Sequence, residues 1–210
     1  MEHYNLIKPE DLGKGSSIQL DVSAAEVDIY WKVAMEVLEV IAENNRKGEP
    51  TVMVVPYGPL GPYFRLSYLV NKYRVSLKNC VFINMDEYLA DEKTYIGMDD
   101  PLSFRGGMNR IFYDVVEEEL NVLPENRIFP DPEDPGRVLE IIEKYGKLDL
   151  VFGGVAAKET NKLEYLKTSK KGLPILKKAM IVDVIRRILW VTAIQWVPLV
   201  ITMEKPEASV

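Results

Sequence analysis

With 210 residues, of which 47% are hydrophobic and 28% charged, the chain has the composition of an ordinary folded protein and is long enough to bury one sizeable core. Its formal charge of −6 and pI near 5.1 argue against a nucleic-acid partner, which needs clustered Lys and Arg to neutralise phosphates. The single cysteine, Cys80, excludes an internal disulfide framework and fits a reducing compartment.

The chain opens with Met1-Glu2-His3-Tyr4-Asn5, without the basic start and apolar run of a signal peptide, and a cytoplasmic location is expected. Ser23-Ala24-Ala25-Glu26 has the spacing of a capping box and predicts a helix start. Val27, Tyr30, Trp31, Ala34, Leu38 and Ile41 then recur at helical spacing as one expected buried stripe, closed by Gly48-Glu49-Pro50. Thr51 to Val55 is a short β-branched strand that stops at the loop Pro56-Tyr57-Gly58-Pro59-Leu60-Gly61-Pro62. Phe64, Leu66, Tyr68, Leu69 and Tyr73 predict the helix that follows.

Cys80 to Met85 gives the next strand, in which Cys80 is expected to be buried and inert. Ser103 to Glu119 predicts a helix loosened by Gly106-Gly107. Asp134-Pro135 reads as the N-cap and first residue of a helix running to Tyr145, with Gly146 as its C-cap. Leu148 to Phe152 is a strand ending in Gly153-Gly154. Strands alternating with helices at these lengths predict an α/β fold: an open, mostly parallel sheet with helices on both faces, in the Rossmann-like three-layer manner.

One domain over residues 1–210 is expected, with 156–210 atypical. There Lys158, Lys162, Lys167, Lys170, Lys171, Lys177 and Lys178 follow no clean period, and such scattered lysines usually form a solvated face. The run from Ile188 to Met203 is uncharged over 16 residues but contains Thr192, Gln195 and Pro198. It falls short of the ~20 apolar residues that cross a bilayer, so no membrane partner is expected.

The first candidate for chemistry is Asp86. In an open parallel sheet the ligand crevice lies beyond the carboxyl ends of the strands, and Val81-Phe82-Ile83-Asn84-Met85 runs straight into Asp86-Glu87-Tyr88. Neighbours in an extended chain point opposite ways, so one carboxylate can face the crevice as a base while the other supports the loop. Gly58 and Gly61 would let backbone amides approach a phosphate at a helix N-terminus, or would serve a plain turn. Gly153-Gly154 poses the same choice on the same sheet edge.

Four stretches carry a resemblance: Val55-Pro56-Tyr57-Gly58-Pro59-Leu60-Gly61-Pro62, Phe82-Ile83-Asn84-Met85-Asp86-Glu87-Tyr88, Pro101-Leu102-Ser103-Phe104-Arg105-Gly106 and Leu150-Val151-Phe152-Gly153-Gly154-Val155. In this order they resemble the glucosamine-6-phosphate deaminase/isomerase family, related to the 6-phosphogluconolactonases, over about residues 50–155. The resemblance implies that Asp86 is the base moving a proton between C2 and C1 of an open-chain sugar phosphate. It implies substrate contacts at Gly58, Leu60, Gly61, Asp86, Glu87, Gly153 and Gly154, with Ser103 and Arg105 in support. It implies a small-molecule sugar phosphate as partner; neither a metal nor a cofactor is expected, and assembly into a homo-oligomer is left open.

The chain also departs from this pattern. After Gly-Gly-Val the family continues with a glycine-rich segment whose histidine opens the sugar ring, whereas Ala156-Ala157-Lys158-Glu159-Thr160-Asn161-Lys162 stands here and the only histidine is His3. The resemblance therefore implies a deaminase-like protein that is weak or inactive. The other reading is a non-catalytic sugar-phosphate-binding or sensor domain.

Overall fold

The computed structural model of the chain describes residues 25–152 together with Asp11, Lys14 and Ser23. The expectations for Gly153, Gly154, the lysines from Lys158 onward and the run from Ile188 to Met203 lie outside the described residues.

Helix α1 spans Glu26–Lys47, with Glu26 and Asp28 in its first turn and Arg46 and Lys47 in its last, the polarity that complements the helix dipole. Gly48 closes it at φ 72°, the left-handed C-cap that glycine adopts without penalty. The start differs from expectation: Ala25, not Ser23, is the N-cap, and no side chain caps the helix. The Glu26 carboxylate accepts the Tyr30 hydroxyl one turn on instead of reaching back. The buried stripe is also rotated, because Ile29, Ala34, Val37, Leu38 and Ile41 face inward while Val27 and Trp31 are exposed. The helix carries more apolar residues than one face can bury.

Strand β1 is Thr51–Val55 and β2 is Cys80–Asn84, with every residue of both buried. They pair in parallel from Thr51 opposite Cys80 to Val55 opposite Asn84. Between them α2, Gly61–Tyr73, supplies the crossover. It buries Tyr63, Leu66, Leu69 and Val70, while Phe64, Tyr68 and Tyr73 are exposed. Tyr68 instead meets Trp31 edge-on at 6.2 Å on the outer side of the helix pair.

The expected helix from Ser103 to Glu119 breaks early. It is a short helix α3, Phe104–Met108, continued by a π-helical turn Asn109–Tyr113 and, after a gap, a 3₁₀ turn Glu118–Leu120. The α-helical part ends one residue after Gly106 and Gly107, and the two glycines also serve packing. Both are buried, and a Cβ on either would collide, with the Met98 carbonyl or with the Tyr57 ring. The wider π turn carries Phe112 and Tyr113 into the core, where Phe112 stacks on Phe82 at 5.7 Å.

Strand β3, Arg127–Ile128, has no sequence signal strong enough to be read in advance, and it pairs in parallel with β2. Helix α4, Arg137–Tyr145, begins after Gly136 rather than at Asp134-Pro135 and ends at Gly146 in the left-handed conformation, as expected. The last strand, β4, is Leu150–Val151, shorter than the predicted run, and pairs in parallel with β1. The sheet order is β3-β2-β1-β4 and every pairing is parallel. Met53, Val55 and Phe82 pack against α1, α2 and the π turn on one face; Val52, Val54, Val81 and Ile83 pack against Val138 and Ile142 of α4 on the other. This is the open parallel α/β sheet covered on both sides, and alternate residues of each strand serve the two layers.

Below the sheet, at the amino ends of the strands, Asp149 closes the fold. Its carboxylate accepts Val52 N–H at 2.8 Å and Asn44 Nδ2 at 3.0 Å, and pairs with Lys147 at 3.1 Å. Buried Asn44 also donates to Thr51 Oγ1 at 3.0 Å. Cys80 lies within the same sheet, and burial pushes its thiol up to about 12.

Candidate functional site

The opposite edge carries the candidate site. Here β1 stops at Val55 and β2 at Asn84, and the parallel ladder runs one bond further, from Met85 N–H to Val55 O at 2.9 Å. Buried Asn84 turns its side chain sideways and donates to Ile128 O of β3 at 3.0 Å. The backbone is thus fixed up to the residue before Asp86.

Asp86 is half-buried just past the strand end. Its charge reaches Tyr63 in the first turn of α2. Burial pushes that phenol well above its ordinary value, with Tyr113 and then Asp86 adding to the effect. Tyr63 donates its hydroxyl to Pro56 O at the end of β1. Asp86 therefore lies within electrostatic reach of the Tyr63 hydroxyl, which itself meets the end of β1.

Glu87 turns away from that crevice. Its side chain is 1% exposed, and five donors converge on its carboxylate. Oε1 accepts Tyr88 N–H at 2.7 Å and Phe104 N–H at 2.9 Å. Oε2 accepts Arg105 N–H at 2.7 Å, Arg105 Nε at 3.1 Å and Ser103 Oγ at 3.1 Å. Ser103 is the N-cap of α3 and its hydroxyl also accepts Gly106 N–H at 3.1 Å. The Arg105 guanidinium continues outward, donating to Ile96 O at 2.8 Å and lying 4.1 Å from the centre of the Tyr95 ring. Tyr95 in turn donates to Pro130 O at 2.6 Å. Of the two opposed carboxylates expected from alternation, one is spent on the protein.

The loop between β1 and α2 is held by packing more than by polar contacts. Tyr57 stacks on Phe104 at 4.7 Å, and Phe104 meets Tyr88 edge-on at 4.9 Å, so one ring from each loop flanks the first residue of α3. Gly58 is exposed, and an added Cβ there meets nothing within 4 Å, leaving room for a ligand to approach the backbone. Gly61 differs: it is buried in the first turn of α2, and a Cβ there would run into the Tyr30 ring. Its small size serves the crossing of α1 and α2. Leu60 is the N-cap of α2, without a side-chain cap, and its carbonyl takes Tyr63 N–H at 3.1 Å and Phe64 N–H at 3.4 Å. Pro59 and Pro62 have no N–H, so the backbone amides this stretch can offer are those of Gly58, Leu60 and Gly61.

The structure thus brings Gly58, Leu60, Gly61, Asp86 and Glu87 to one edge, while Gly153 and Gly154 lie beyond the last described residue. Among the described residues no group of three or more His, Cys, Asp or Glu side chains is arranged to hold a metal ion. No described helix is long and apolar enough to cross a membrane. Tyr63, Tyr95 and the Tyr57–Phe104 pair went unread in the sequence. Ser103, directly before a helical stretch, carried a legible N-cap signal; Tyr95 carried none, because its partner Pro130 is 35 residues away.

No model of a known protein family matches the chain. Individual proteins do. The chain is 34% identical over 130 residues to a glucosamine-6-phosphate deaminase of Mannheimia succiniciproducens, which covers 60% of this chain and 46% of that protein. It is 33% identical over 141 residues to the glucosamine-6-phosphate deaminase of Aliivibrio fischeri, covering 65% of this chain and 51% of the other. The chain therefore spans about half the length of the curated relatives it matches. Among solved structures it resembles a monomeric glucosamine-6-phosphate deaminase of the NagB superfamily, with a TM-score of 0.51 at 20% identity over 61% of this chain and 52% of that one, a likeness of fold.

Proposed function

We propose that residues 50–155 form the proton-transfer half of a glucosamine-6-phosphate deaminase-type site, with Asp86 as the base. The observation that carries this reading is the placement of Asp86: half-buried just past the carboxyl end of β2, within electrostatic reach of Tyr63 at the start of α2, with its neighbour Glu87 committed to the protein. In the open-chain amino sugar phosphate, Asp86 takes the proton from C2 and returns it to C1. The resulting imine at C2 adds water and expels ammonia, leaving fructose 6-phosphate. A base held in hydrogen-bond reach of the C–H contributes ~10²–10⁴-fold. The amides of Gly58, Leu60 and Gly61 bind the sugar phosphate, and Gly153 and Gly154 complete the contact.

Ring opening limits this chain. Ala156-Ala157-Lys158-Glu159-Thr160-Asn161-Lys162 takes the place of the family's histidine segment, so turnover is slow and draws on substrate that opens unaided. The same replacement favours a second reading, a sugar-phosphate sensor that binds without turnover.

Ammonia and fructose 6-phosphate released from saturating glucosamine 6-phosphate, measured beside calorimetric binding of a hexose 6-phosphate, separate the two. Slow turnover that falls ~10²–10⁴-fold in Asp86→Asn supports the deaminase reading. Saturable binding without product supports the sensor. Neither binding nor product overturns both.

A further inference from the structure

We propose that Glu87 is a positioning residue for Asp86, a buried anionic latch whose charge, and not only its bulk, holds the base toward the crevice. The inference rests on the deaminase reading above and assigns Glu87 no contact with the reacting atoms.

The donor set argues for charge. All five groups that meet Glu87 present hydrogens: three backbone N–H groups, one hydroxyl and one guanidinium nitrogen. The Ser103 hydroxyl accepts Gly106 N–H and donates to Glu87 Oε2 at 3.1 Å. A carboxylate is acceptor-only on both oxygens and meets this set in full. A glutamine of the same shape offers one accepting oxygen and turns an NH₂ toward at least two N–H groups. Size would be satisfied and the hydrogen bonding would fail.

The connection to Asp86 is the backbone. Asp86 is bounded before by Met85 N–H on Val55 O, and after by Glu87, whose carboxylate holds its own following amide, Tyr88 N–H, and the start of α3. Tyr88 O also accepts Ile96 N–H at 3.1 Å, and Ile96 O is the acceptor of Arg105 Nη2 at 2.8 Å. The loop from Tyr88 to Ile96 therefore returns to the same arginine that pairs with Glu87. Releasing Glu87 frees the peptide that carries Asp86 on its far side, although none of the five donors comes from Asp86 itself.

The test is E87Q, with R105K as the milder second variant that keeps the cation and loses the Nε geometry. Thermal melts first establish that each variant folds cooperatively. With glucosamine 6-phosphate, E87Q is expected to lower kcat more than about tenfold while KM stays within about threefold, as for loss of an interaction felt in the transition state. Independently of turnover, the ¹³C carboxyl resonance of Asp86 and its titration midpoint shift in E87Q, and the Phe104 and Arg105 amides exchange faster with solvent. A folded E87Q with kcat, the Asp86 resonance and its titration all unchanged overturns the latch. If E87Q does not fold, the same three measurements on R105K decide, in smaller steps, and unchanged values there also overturn it. A wild-type chain that neither binds nor turns over sugar phosphate refutes the deaminase reading instead, and the Asp86 resonance alone then judges the latch.

Discussion

The two ends of the sheet each hold a carboxylate locked by several donors, and they use it differently. At the amino edge Asp149 binds β1, α1 and Lys147, and every residue around it is occupied in closing the fold. At the carboxyl edge Glu87 binds α3 and its own loop, and the next residue back, Asp86, lies half-buried just past the strand end. A pinned carboxylate thus forms a seam at one end and, at the other, supports the residue proposed as the base. What separates them is the residue beside the pinned carboxylate.

Five substitutions or measurements break or sharpen this contrast, from the largest expected effect down. Glu87→Ala leaves the Arg105 guanidinium and the α3 amides without their acceptor and is expected to cost about 3 kcal/mol, read from denaturant melts. Asp149→Ala strands Val52 N–H and Asn44 but sits closer to solvent, and about 2 kcal/mol is expected in the same melts, with any sugar-phosphate binding by the folded fraction retained. Equal losses in binding from both variants would erase the distinction between the two edges.

Within the loop after β1 the two glycines divide similarly. Gly61→Ala forces the Tyr30 ring aside and should destabilise by about 1–3 kcal/mol, whereas Gly58→Ala should change stability by less than about 0.5 kcal/mol and act on ligand affinity alone. Calorimetry beside melts on both variants checks the split. Last, the buried Cys80 thiol, raised to about 12 from 9.0, stays protonated in the folded chain. The unfolded chain loses that proton first, so stability contributed by this group is complete below about pH 9 and declines as pH rises toward 12. Alkylation of Cys80 at pH 8 should follow global unfolding; rapid labelling of folded protein would place the thiol at the surface.

Where one local pattern determined the outcome, the sequence was legible. Thr51–Val55 and Cys80–Asn84 are apolar on both faces because both faces are covered, and Gly48 and Gly146 end helices because only left-handed caps fit there. The position of Asp86 followed from the end of β2. What could not be read depends on distant partners. Gly106 and Gly107 resemble helix-weakening residues until Met98 O and Tyr57 are seen pressed against them. That Gly61 must also be small for Tyr30 of α1 to pass shows only in the fold. The five donors on Glu87 come largely from residues 16 to 18 positions later, a separation at which no sequence period operates.

The stack of Tyr57 on Phe104, with Tyr88 at its edge, has a mechanical consequence. Phe104 presents its ring to the loop after β1 and its amide to the carboxylate beside Asp86. A load applied to Tyr57 by an entering molecule is passed across a ring face to the first residue of α3, and from there to the loop after β2. Moving either loop away would separate Tyr57 from Phe104 or Phe104 from Tyr88.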